Sequence, residues 1–169
     1  MMPYIYVVIL VSLALAQSTI VPATALGSTK PFLPLVAVVS WVLLRGPVSG
    51  AWWALAVGLT LDAISPIPGS FYTLPLLVAV GVVAIGRGRF FPQNIIVPWV
   101  FVGVATAVFL LTQRAMIPLS GGTVSWSVPV LAHEIVPEAA LNLLWLPLLY
   151  LPLRALSRRT AGPRIDWEG

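Results

Sequence analysis

The chain has 169 residues, 59% of them apolar and only 8% charged, whereas soluble domains run to roughly 45–50% apolar and about 25% charged. Apolar surface this extensive cannot be hidden in one small core, so a water-soluble globule is excluded and the solvent must be lipid. The nine basic residues behind the net charge of +4 mostly flank apolar stretches, a topology signal and not a nucleic-acid footprint, while zero cysteines and a single histidine, His133, exclude disulfides, thiolate chemistry and a histidine-rich metal centre.

In chain order, apolar stretches over 3–21, 32–44, 47–64, 70–86, 95–117 and 128–156 predict an all-α polytopic bundle of six transmembrane helices. The intervening links are short and rich in Pro, Gly or charge. Together they make one transmembrane domain over 1–157 and a short cytoplasmic tail over 158–169. In the first stretch, Ala14-Leu15-Ala16 resembles a signal-peptidase site, but no basic residue precedes it, so the stretch is read as a span. The second, over 32–44, is short for a crossing and has the length of a re-entrant or interfacial segment; whether it spans completely is left open.

The third stretch places Gly50, Ala54, Gly58 and Asp62 at four-residue intervals, a small-residue stripe that lets another helix approach closely. That helix is either a neighbour in the bundle or a partner. Gly103 and Ala107 repeat the pattern in the fifth stretch. No internal repeat is visible, so an inverted-repeat transporter lacks support. With a cytoplasmic N-terminus, the inner side receives Arg45, Arg87, Arg89, Arg154, Arg158, Arg159 and Arg164, and the outer side only Lys30 and Arg114. Positive charge inside predicts a multi-pass membrane protein with both termini cytoplasmic. Aromatic residues at the span ends, among them Trp52, Trp99 and Trp126, suit the headgroup belt, and arginines of the tail can touch anionic lipid.

Ionisable groups inside spans are costly unless they face protein or water. Asp62, Arg114, His133, Glu134 and Glu138 all fall in the outer half of the bilayer on this topology. Glu134, Glu138 and Asn142 recur every four residues along one helix face, in a span where Pro137 and Pro147 permit a kink. Asp62, Arg114, Glu134, Glu138 and Asn142 are therefore a candidate partner-binding or buried polar cluster. Structural alternatives are that Asp62 caps the turn over 65–69, that Arg114 snorkels to headgroups, and that His133 is simply solvated. No HExxH, GxSxG, Walker or DxD motif occurs, so catalytic, cofactor and metal residues are not assigned and an enzyme is not expected.

The stretch Gly58-Leu59-Thr60-Leu61-Asp62, followed by a Pro-rich turn and Gly69, and the last span from Pro137-Glu138-Ala139-Ala140-Leu141-Asn142 through Pro147 to Arg154 resemble the MreD family of rod shape-determining membrane proteins. The resemblance covers most of the chain. It implies a non-enzymatic subunit of the cell-elongation machinery that works with MreC, MreB, RodA and a transpeptidase to control lateral peptidoglycan synthesis and cell shape. It also implies a fold like that of the substrate-binding subunits of energy-coupling-factor transporters. On this reading the small-residue stripes and outer carboxylates clasp the transmembrane helix and outer juxtamembrane segment of MreC. The alternative is a small-molecule-binding subunit of an energy-coupling-factor-type uptake transporter. A lipid flippase would need ionisable groups from inner to outer side, and the inner halves of the spans hold almost none.

Overall fold

The computed structural model describes residues 30–65, 71–87 and 96–160. The expected first span over 3–21 lies outside the described residues, as do Arg89 and the tail from 161 onward. The described residues form five helices and no strand: α1 (Leu33–Arg45), α2 (Pro47–Ile64), α3 (Thr73–Arg87), α4 (Val97–Met116) and α5 (Val128–Thr160), with a 3-10 turn over Ile117–Ser120. Proline stands in the first two positions of α1, α2 and α4, where its fixed φ suits a helix start and its missing N–H costs nothing. Gly46 alone separates α1 from α2. Its φ of 106° turns the chain, and its N–H closes α1 on the Val42 carbonyl at 2.9 Å. The last helix runs unbroken through Pro137, Pro147 and Pro152.

Three helices, Pro47–Ile64, Val97–Leu119 and Val128–Arg158, are long and apolar enough to cross a membrane. The 13 residues of α1 and the 15 of α3 reach only about 20 and 22 Å, short of a hydrocarbon core of about 30 Å. Six full spans are therefore not what the described residues present; they present three long helices and two short ones. The short α1 is enclosed by protein. Every residue from Leu33 to Leu43 is buried, and the helix packs on each of α2, α3, α4 and α5. It is apolar all round because protein surrounds it. Trp41 stacks on Trp53 at 4.4 Å and donates its indole N–H to Ser49 Oγ at 2.8 Å, while Ser40 returns its hydroxyl to the Val36 carbonyl.

Around this centre the outward faces are as apolar as the core. Trp52, Leu59, Val78, Ile85, Val100 and Leu144 all stand exposed. Apolar surface on both sides of a helix layer is the arrangement that lipid selects and water forbids.

The stripe on α2 is consumed inside the chain. A Cβ on Gly50 would collide with Val42 of α1, one on Gly58 would lie 2.5 Å from the Thr73 Cα of α3, and Ala54 is fully buried. Of the two helices that could approach Gly50, Ala54 and Gly58, a neighbour in the bundle or a partner, the described residues place neighbours there. Gly103 of α4 faces open space. Gly58→Val should therefore cost about 1–3 kcal/mol, because backbone on the facing helix must move, whereas Gly103→Ala should be neutral or slightly stabilising; thermal unfolding in detergent measures both.

Candidate functional site

The helix starts of α1, α3 and α5 and the helix ends of α2 and α4 meet at one end of the bundle, and side chains from the long helices hold the short ones there. Asp62, in the last turn of α2, accepts the Tyr72 N–H at 2.5 Å through one oxygen; through the other it accepts the Thr73 N–H at 3.2 Å and the Thr73 hydroxyl at 2.5 Å. Those amides open α3, where N–H groups lack partners within the helix and negative charge is favoured. Gly58 lies one turn earlier on α2 and admits Thr73 to close range. The Gly58-to-Asp62 stretch thus works as an approach and a cap. Asp62 caps the next helix; the turn over 65–69, the other candidate for its cap, lies outside the described residues from 66 onward.

Asn142 does the same for α1. Its side-chain carbonyl accepts the N–H of Phe32, the N-cap residue of α1, at 2.7 Å, and its amide donates to Thr106 Oγ1 of α4 at 3.0 Å. Thr106 passes its own hydroxyl proton to the Val102 carbonyl at 2.8 Å. Both side chains are completely buried, so each polar atom must find a partner in protein. Phe32 stacks between Phe109 at 4.6 Å and Tyr72 at 5.8 Å, which joins the two caps through a row of rings. Phe32, Tyr72, Thr73 and Thr106 escaped the sequence reading. Thr106 carried a usable signal, a lone hydroxyl in the middle of an apolar span.

The remaining members sit further out on α5. Arg114, in the last turn of α4, pairs with Glu134 across the α4–α5 connection, with the arginine side chain 14% exposed and the glutamate 52%. An exposed pair of this kind is worth about 0–1 kcal/mol. Glu138, half-buried one turn deeper, has no hydrogen-bond partner among the described residues, and His133 is exposed on another side of the helix. The five candidates therefore share one end of the bundle but divide by role. Asp62 and Asn142 bond helix starts, Arg114 and Glu134 bond each other, and Glu138 has no hydrogen-bond partner among the described residues. No group of His, Asp and Glu among the described residues has the geometry to hold a metal ion.

The opposite end is basic. Arg87 donates to the Leu43 carbonyl at 3.3 Å, and Arg45 lies over the Trp41 ring at 5.8 Å. Equal numbers of residues separate Phe32 from Arg45 and Asn142 from Ala155, so the parallel packing of α1 on α5 brings Arg45 level with Arg154. Among the described residues, carboxylates and arginines other than Arg114 are thus sorted to opposite ends. Asp62→Ala and Asn142→Ala should each lower stability by about 2–3 kcal/mol, because each strands helix-start amides away from water. Glu134→Gln should cost less than about 1 kcal/mol. Unfolding midpoints of the three variants in one detergent give the ranking.

The family described as rod shape-determining protein MreD matches residues 1–160. Neither the curated proteins nor the solved structures provide a match, so the expected likeness to energy-coupling-factor subunits has no solved structure behind it. The match includes both the Gly58-to-Asp62 cap and the Glu134-to-Asn142 face, on a bundle whose apolar exterior suits lipid. The chain belongs to the MreD family of rod shape-determining membrane proteins.

Proposed function

We propose that the chain is a non-enzymatic subunit of the bacterial cell-elongation complex, set in the inner membrane with both termini cytoplasmic, and that it docks MreC at the polar end of the bundle. One observation carries the docking reading: Glu138 is half-buried and without a hydrogen-bond partner among the described residues, one turn below the exposed Glu134, while Asp62 and Asn142 are engaged by helix starts. A carboxylate left in that position is stabilised by a basic or amide group brought from outside the chain. Exposed Leu119 and Trp126 in the α4–α5 connection and Val128 at the start of α5 supply apolar contact. The sorting of carboxylates and arginines supports an extracytoplasmic position for this end.

In this arrangement the caps hold the scaffold and α5 presents the contact. MreC is the direct partner; MreB, RodA and a transpeptidase join through the assembled complex. A ligand pocket of the uptake-transporter kind is not favoured, because Phe32, Tyr72, Phe109 and Asn142 fill the space behind the mouth. Co-purification of MreC tests the reading. Glu138→Ala and Glu134→Ala should lower recovery several-fold at normal expression and unchanged unfolding midpoint. Undiminished recovery with both variants would overturn it.

A further inference from the structure

We infer that Arg154 and Arg158 of α5 form a site for an anionic phospholipid, with the phosphate held between the two guanidinium groups and an acyl chain lying along the exposed apolar ridge of the same helix. The two arginines stand one turn apart and, with Leu151 and Ala155, line an open cleft of about 410 Å³. Both are exposed, and among the described residues neither makes a hydrogen bond or an ion pair. The nearest described carboxylate on their helix, Glu138, lies about 24 Å away along the axis. Asp62 and Glu134 share that far end. The positive charge at this end is therefore not neutralised by described protein groups.

The shape of the surface chooses among anions. Leu144, Leu148 and Leu151 are each more than 60% exposed and follow one another up the helix at three- and four-residue spacing to the cleft. They make a continuous apolar track that ends between two cations. A free anion has no use for that track, and an uncharged lipid has none for the cations. A lipid with a net negative headgroup satisfies both. The planar guanidinium fork matches phosphate oxygens with paired hydrogen bonds, and its charge counts for more at the edge of a low-dielectric phase. This inference rests on the membrane placement of α5 and is independent of the MreC reading.

Native mass spectrometry of the full chain in detergent, titrated with phosphatidylglycerol, with phosphatidylcholine of the same acyl composition and with inorganic phosphate, tests it. Phosphatidylglycerol should be retained preferentially. Removing both charges in Arg154→Gln/Arg158→Gln should weaken its binding roughly thirtyfold. The pair Arg154→Lys/Arg158→Lys should lose less, and Lys30→Gln, at the far end, should change nothing. If the glutamine pair lowers the unfolding midpoint, Arg158→Gln alone, in the outermost turn, is read in its place and should still weaken binding several-fold. Unchanged binding in the glutamine variant, or equal retention of phosphatidylcholine, would overturn the site. So would displacement by phosphate at equal concentration, which would mark a free-anion site. Binding that rises as much in Asp166→Asn/Glu168→Gln would also overturn it, by making the chain's own acidic tail the occupant.

Discussion

A helix that begins within hydrocarbon presents N–H groups that lipid cannot satisfy. In this bundle α1 and α3 are too short to carry their starts out to water, and each start is met by a side chain from a longer helix: Asn142 for Phe32, Asp62 for Tyr72 and Thr73. The rest of the architecture follows from that requirement. Gly58 lacks a side chain so that Thr73 can reach Asp62, Thr106 is a hydroxyl so that Asn142 can complete its bonds, and Phe32, Tyr72 and Phe109 stack because the caps bring them together.

The same requirement separates scaffold from contact surface. A carboxylate that closes three bonds to a helix start has little acceptor capacity left for a partner, and a fully buried amide cannot be reached by one. What remains at that end is the outer turn of α5, where the side chains pass from buried Asn142 through half-buried Glu138 to exposed Glu134. Eight residues of helix, about 12 Å, carry the chain from interior to mouth. At the other end the arginines are unopposed by described carboxylates, which gives the two ends of one helix opposite chemistry.

Much of this was legible in the residues themselves. The apolar stretches from 32 onward lie within a few residues of the described helices, and the gathering of Asp62, Arg114, Glu134 and Glu138 at one end followed from chain direction. The standing of α1 was not legible. A helix wrapped by protein and a helix wrapped by lipid have the same composition, so only contacts distinguish a core from a short interfacial segment. The periodic face of Glu134, Glu138 and Asn142 was readable as a face, but periodicity carries no depth, and the three residues have three different environments. Nor was the partner of Asn142 readable: Phe32 is 110 residues away and contributes only its backbone, which no side-chain pattern announces. The stripe at Gly50, Ala54 and Gly58 was visible as a close-approach surface, and the identity of the approaching helices depended on the tertiary arrangement.

The central claim is that two side chains complete two helix starts across the bundle. Amide hydrogen exchange of the chain reconstituted in bilayers, read at Phe32 and Tyr72, tests it most directly. The account predicts strong protection at both amides in the unaltered chain, selective loss at Phe32 in Asn142→Ala and selective loss at Tyr72 in Asp62→Ala. Exchange at both positions as fast as at exposed Thr123, or protection that survives removal of its acceptor, would contradict it.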